Sequence, residues 1–199
     1  MNSASSPRPD PWADTPDAAL LVRVGHGDPQ AARALAGRLA PRLFRHVSRM
    51  TGDAAEAEDI VQETLLRLWR MAPEWRQEGA QVSTWAFRVA INLATDRLRA
   101  RRPQVPLDSV AEPVADLTDA VRRMTDAERL AALDRAMARL PERQRIAVSL
   151  RHIEEMSNPE IAEIMDITVE AVESLTARGK RALAEALKGQ KDALGYQDD

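Results

Sequence analysis

The chain has 199 residues, 44% of them hydrophobic and 30% charged, with a formal net charge of −3. That length allows one or two domains with packed cores. The absence of cysteine excludes a disulfide framework, a thiolate nucleophile and any cysteine-based zinc site. No apolar run reaches the ~18 residues of a transmembrane helix, and residues 1–17 lack the apolar core of a secretory signal. A soluble, cytoplasmic protein without membrane insertion is expected. Sparse aromatics and abundant Ala, Leu and Arg favour helices, and no β-alternation of useful length occurs.

In chain order, residues 1–16 are rich in Pro, Ser and Asp and read as a disordered lead-in. Residues 17–102 form a helix-periodic, proline-poor block. Within it Asp53 is placed to cap a helix, with Glu56 at the third helical position as in a capping box. Ile60, Val61, Thr64, Leu65, Leu68 and Trp69 then recur at the spacing of one buried stripe. Asp59, Gln62, Glu63, Leu66 and Arg70 fall on the opposite side. Pro73 stops the helix, Trp75–Val82 is a polar loop, and the next helix begins at Ser83 or Thr84.

That next helix is the most informative segment. From Arg88 to Arg102 it carries five arginines and one acid, Asp96, a local charge of +4 on an acidic protein. A basic stripe so confined marks a located surface for a polyanion, although taken alone a solvated face is the commoner reading. Residues 103–125 hold Pro103, Pro106 and Pro113 and read as a flexible linker with one short helix near its end. Residues 126–188 form a second helical block, and 189–199 a polar tail.

Inside the second block, Ser157-Asn158-Pro159-Glu160 is a strong helix start. A short helix Pro159–Met165, the turn Asp166-Ile167-Thr168 and a longer helix from Val169 to about Leu187 follow, with Thr168 as cap. Ala162 and Val172 have the core spacing of a helix-turn-helix; alone, the pattern fits a plain αα-hairpin equally well.

Taken together, the two blocks resemble a known family. Asp59-Ile60-Val61-Gln62-Glu63 and Ser83-Thr84-Trp85, with Arg88-Val89-Ala90-Ile91-Asn92-Leu93-Ala94, Asp96 and Leu98-Arg99, are similar to region 2 of sigma-70-type factors. Leu140-Pro141-Glu142-Arg143-Gln144-Arg145, Glu160-Ile161-Ala162-Glu163-Ile164-Met165, Val169 and Val172 are similar to region 4. With no other domain between them, the layout resembles the extracytoplasmic-function sigma factors. The resemblance covers residues 17–188 and implies an all-α fold of two helical domains. These are region 2 (17–102) and region 4 with its helix-turn-helix (126–188), joined by the linker 103–125.

The resemblance also implies the partners: core RNA polymerase, through the clamp and flap of its large catalytic subunit, promoter DNA, and an anti-sigma factor. Asp59, Gln62, Glu63 and Leu66 fall where the family docks on the clamp coiled coil. Strand opening at the −10 element needs a pocket for a flipped base and a cationic track. The matching positions are Trp75 and Arg76 in the loop, Arg88, Asn92 as an amide suited to a base edge, and Arg97, Arg99, Arg101 and Arg102 for phosphates. Trp85 is expected in the core. The −35 element would meet Thr168, Glu170, Glu173, Ser174, Thr176, Arg178, Lys180 and Arg181.

Here the sequence departs from the family. Glu173 and Leu175 stand where basic residues are usual, so this helix reads an unusual −35 element or binds DNA weakly. The linker is acidic, with Asp108, Glu112, Asp116 and Asp119 and no base before Arg122. It is either a nucleic-acid mimic in the RNA exit channel or a solvated tether. No cofactor, metal or enzymatic activity is expected. His26, His46 and His152 are far apart in sequence, and the run His152-Ile153-Glu154-Glu155 reads as surface rather than as a metal site. The competing readings are a sigma-like decoy that titrates an anti-sigma factor without initiating transcription, and an activator-type DNA-binding regulator.

Overall fold

The computed structural model describes residues 12–76, 81–101 and 126–188, apart from the side chains of 126–129. The expected linker 103–125, the lead-in as far as residue 11, the tail 189–199, Arg102 and loop residues 77–80 lie outside the described residues. Eight α-helices are described: α1 (Asp17–Gly25), α2 (Pro29–Thr51), α3 (Ala54–Met71), α4 (Val82–Arg101), α5 (Asp126–Ala138), α6 (Glu142–His152), α7 (Asn158–Met165) and α8 (Val169–Lys188). No strand occurs among the described residues. The fold is all-α, with α1–α4 and α5–α8 as its two helical domains.

Helix ends follow from local chemistry. Asp28 caps α2, its Oδ1 accepting from the Gln30 N–H at 2.9 Å and the Ala31 N–H at 3.2 Å, with Pro29 in the first turn. Gly52 ends that helix in the left-handed region, at φ 69°. Asp53 caps α3 by accepting from the Glu56 N–H at 3.1 Å. The Glu56 carboxylate faces Arg101 instead, 3.0 Å from its Nη1. Pro73 does not simply stop α3; it sits in a single 3-10 turn, Ala72–Glu74, that carries the chain on to Trp75. Helix α4 starts at Val82, one residue before the expected start, because that side chain is buried in the core.

Leu35, Leu39, Leu43 and Val47 recur at four- and eight-residue intervals along α2 and are fully buried. They pack with Leu20 and Leu21 of α1, Ile60 and Leu68 of α3, and Phe87, Ala90 and Ala94 of α4. Burying each such leucine or phenylalanine contributes roughly 1.5–3 kcal/mol. Gly25 lets α1 lie against the 3-10 turn: a Cβ there would stand 2.7 Å from the Ala72 carbonyl oxygen. Ahead of α1, Trp12–Thr15 form a turn within the expected lead-in. Arg38 fastens it, donating to the carbonyls of Thr15 at 2.7 Å and of Trp12, and to the Asp17 carboxylate at 2.8 Å.

The apolar core runs on without a break into α6 and α7, through Ile146, Leu150, Met156, Ile161 and Ile164, and reaches Val172 of α8. A smaller cluster of Met137, Leu140 and Val148 ties α5 to α6. The two domains therefore touch, α4 lying on α7 and α2 on α5 and α6. This contact corrects the surface assignment of Glu154, and it also buries His46. His46 is 1% exposed and Glu154 7%, both enclosed where the domains meet. Their polarity makes them look like surface residues in a sequence, but each has a polar neighbour across the seam. His152 is exposed as expected, and His26 is exposed too.

Candidate polymerase and nucleic-acid interfaces

Helix α3 presents its two faces as its periodicity predicts. Ile60, Val61, Thr64 and Leu68 are buried, and Leu65 and Trp69 pack against the core from its edge. Asp59, Gln62 and Arg70 are exposed, Glu63 is half-exposed, and Leu66 stands 49% exposed. Only one other large hydrophobic among the described residues is comparably open, Leu130 on α5. Glu63 bonds Arg67 one turn on at 2.8 Å, which holds its carboxyl below the usual range. The result is an acidic-amide strip centred on an uncovered leucine, suited to a basic helical partner.

Helix α4 divides the arginines between two faces. Arg88, Asn92, Thr95 and Arg99 follow one another at helical spacing and line one side of a cleft of about 590 Å³. Its other side comes from Glu142, Arg143 and Ile146 of α6 and Ile164, Met165 and Asp166 at the end of α7. Arg97 and Arg101 point elsewhere. The Arg97 Nη1 donates to the Glu56 carbonyl oxygen at 3.5 Å, and Arg101 pairs with Asp53 at 3.5 Å and Glu56 at 3.0 Å. Asp53 is held below the usual carboxylate range, chiefly by the Glu56 N–H and with help from Arg101. The expected single track is thus one cleft-facing pair plus a clamp on the start of α3.

Trp75 is half-buried against the core, with its indole N–H enclosed and without a hydrogen bond, while Arg76 is exposed. Neither lines the cleft that holds Asn92. Trp85 packs against the core. Thr95 and Arg143 also line the cleft; the sequence gives Thr95 no role, and Arg143 only a place in the region 4 motif. Thr95 was recoverable from its seven-residue spacing to Arg88; Arg143 was not, because it arrives from the other domain.

The helix-turn-helix is α7, the turn at Asp166, and α8. Ser157 and Glu160 form a complete capping box at its start. Asp166 adopts φ 53°, ending α7, and Thr168 accepts from the Ala171 N–H at 3.2 Å to begin α8. Val172 is fully buried and Ala162 nearly so. Thr168, Glu170, Glu173, Arg178, Lys180 and Arg181 are exposed, while Ser174 and Thr176 are half-buried. The Thr176 hydroxyl oxygen is enclosed without a hydrogen bond. Ser174 accepts from Arg178 at 2.7 Å, and Glu173 accepts from the Asn158 amide at 3.4 Å. The backbone N–H of Glu170 and the Thr168 hydroxyl hold the Glu170 carboxyl below its ordinary value. Among the described residues no group of three or more His, Cys, Asp or Glu could hold a metal ion.

Comparison with known proteins converges on one family. The Sigma-70 region 2 model matches residues 35–104, and the Sigma-70, region 4 model matches residues 130–183. The chain is 31% identical to the RNA polymerase sigma-H factor of Pseudomonas aeruginosa over 182 residues, spanning 86% of this chain and 94% of that one. The chain belongs to the sigma-70 family, among its extracytoplasmic-function sigma factors. It is also 29% identical to the ECF RNA polymerase sigma factor SigW of Bacillus subtilis over 178 residues, spanning 84% and 95% of the two chains.

Two solved structures share the fold. One is CnrH in complex with the cytosolic domain of CnrY (TM-score 0.66, 23% identity, 87% of this chain and 97% of that one). The other is the sigma factor RpoE of Bartonella quintana in complex with the anti-sigma factor NepR (TM-score 0.61, 23% identity, 78% and 96%). As a sigma factor the protein is a transcription initiation factor that binds core RNA polymerase and promoter DNA. No helix among the described residues is long and apolar enough to cross a membrane.

Proposed function

We propose that this sigma factor divides promoter recognition among three surfaces carried by region 2 (17–102) and region 4 (126–188). The strip Asp59, Gln62, Glu63 and Leu66 docks on the clamp of the large catalytic subunit. The cleft face of α4 engages the opened −10 strand: Asn92 reads a base edge, Arg88 and Arg99 hold phosphates, and Trp75 and Arg76 contribute from the loop. Arg97, Arg101 and Arg102 add cationic field beside it. Helix α8 enters the major groove at the −35 element, with Thr168, Glu170, Glu173 and Ser174 towards bases, Thr176 supporting the helix through its enclosed hydroxyl, and Arg178, Lys180 and Arg181 towards phosphates.

The observation that carries this reading is the alignment of Arg88, Asn92 and Arg99 on one face of α4, an amide between two guanidiniums. Such a face also argues against the decoy, which needs no nucleic-acid contacts. The protein acts without catalytic groups of its own, in the cytoplasm, and an anti-sigma factor holds it inactive. Support for that last step comes from solved relatives captured with the cytosolic domain of CnrY and with the anti-sigma factor NepR. Run-off transcription with purified protein, core polymerase and a pool of genomic fragments tests the whole. Discrete starts sharing −35 and −10 elements are expected; core binding without any start would overturn the reading.

A further inference from the structure

Three side chains on successive turns of α2 cross from region 2 to region 4. Arg42 pairs through Nε with Glu154 Oε2 at 2.9 Å and reaches the Glu154 carbonyl at 3.4 Å, while its guanidinium lies 5.5 Å from the centre of the Phe87 ring. One turn on, His46 Nδ1 meets Ser149 Oγ at 3.0 Å inside the seam. Arg49 then pairs with Asp134 of α5 at 2.9 Å. Spaced at four and three residues, the three form a single stripe. The Glu154 side chain is 1% exposed, so the Arg42 pair is shielded from the screening that makes surface pairs weak.

This closed arrangement conflicts with promoter binding. The −35 and −10 elements lie about 25 base pairs apart, about 85 Å at 3.4 Å per pair. Here α4 touches α7 of the helix-turn-helix, and Glu142, Arg143 and Asp166 line the cleft across from Arg88 and Arg99. The clamp-docking strip, by contrast, stays open: Leu66 is 49% exposed while the domains are together.

We propose that Arg42, His46 and Arg49 form an intramolecular latch that holds this sigma factor closed over its own −10 face without any partner, and that protonation of His46 releases it. The proposal rests on the reading of α4 as the −10 surface. Polymerase docks on the uncovered strip first, and opening follows. His46 is suited to the release because its surroundings offer a second proton nothing to bind. Its Nε2 is buried without a hydrogen bond, and the Phe87 ring of α4 packs on the imidazole edge-on at 5.5 Å. The charges that reach it are both positive, Arg49 on α2 and Arg145 on α6; the neighbouring carboxylates, Asp134 and Glu154, are already taken by Arg49 and Arg42.

Burial above all, with those two arginines adding to it, pushes the His46 imidazole down to about 3. Opening withdraws Ser149 and Arg145 and returns it towards its ordinary value of about 6.5. Closure is thus fully favoured above about pH 6.5 and is lost progressively as pH falls below it.

The test uses the full chain, which has no cysteine of its own, with Glu58→Cys and Glu185→Cys for a fluorophore pair, one per domain. Single-molecule energy transfer should show a compact population at about pH 7.5, and a closed-to-open ratio about tenfold lower at about pH 5.5. His46→Gln should remain compact at both. Arg42→Glu should open the chain, and adding Glu154→Arg should close it again, which keeps the test decisive where His46→Gln does not fold. No compact population in the native chain, or failure of the charge swap to restore closure, overturns the latch. A pH response that survives in folded His46→Gln overturns the role of His46. Run-off transcription by the same chains separates the two readings, since a protein that initiates normally yet never closes refutes the latch alone.

Discussion

The division of the α4 arginines predicts that two neighbouring substitutions have different consequences. Arg99 lines the cleft and makes no ion pair among the described residues, so its charge is available to a phosphate. Arg101, two residues on, sits against Asp53 and Glu56 at the start of α3. One single-strand phosphate contact changes the slope of log affinity against log salt by about 0.7. Arg99→Ala should therefore reduce that slope by about 0.7 for reconstituted holoenzyme on a −10 fragment, with thermal stability unchanged. Arg101→Ala should leave the slope nearly unaltered, and it should cost about 0.2–1 kcal/mol of stability through the lost surface pair. Fluorescence anisotropy across a salt series reads the slope, and a thermal melt of the protein alone reads the stability. Equal loss of slope in both variants would refute the argument, because it would make Arg101 a phosphate ligand despite its carboxylates.

Leu66→Asp should weaken core-polymerase binding at least tenfold, roughly the transfer energy of one leucine, with an unchanged melting temperature; a pull-down with undiminished retention would remove α3 from the interface. Gly179→Ala should destabilise region 4 by about 1–3 kcal/mol, since its Cβ would stand 2.6 Å from the stiff Val148 Cγ2. In a Val148→Ala background the same change should become neutral or stabilising, as alanine is the better helix former by ~1 kcal/mol; a cost that persists in that background would sink the packing account. Glu173→Ala should raise region 4 affinity for all duplexes and relax discrimination at no more than one −35 position, checked by binding to a library of single-base variants.

Much of the fold is legible in the sequence because its signals are local. The Ser157–Glu160 capping box, the Asp53 cap and the α3 stripe each lie within about one or two helical turns, and the structure reproduces all three except for the reciprocal bond from Glu56. That bond fails for a non-local reason: Arg101, 45 positions later in the chain, claims the carboxylate. The burial of His46 and of Glu154, the latter expected at the surface, is hidden from the sequence for the same non-local reason. A histidine on an amphipathic helix and a glutamate in the turn after one are ordinarily solvated, and only the approach of Ser149 and Arg42 from the other domain makes burial tolerable.

The acidic recognition helix shows how a local anomaly changes meaning once its neighbours are known. By sequence, Glu170 and Glu173 oppose DNA, leaving an unusual −35 element or weak binding as the alternatives. The first of these carboxylates is held by its own backbone and by the Thr168 hydroxyl, and the second by the Asn158 amide of the preceding helix. Both act first on the helix-turn-helix itself, one at the start of α8 and one across the α7–α8 corner. A carboxylate near the N-terminus of a helix favours the helix dipole, which reduces the repulsion it presents to a phosphate. The basic end of α8, with Arg178, Lys180 and Arg181, remains for the backbone. Normal affinity and an unusual base preference are therefore compatible. On the proposed −35 reading, specificity would depend on whether a cytosine amino group draws Glu173 away from Asn158.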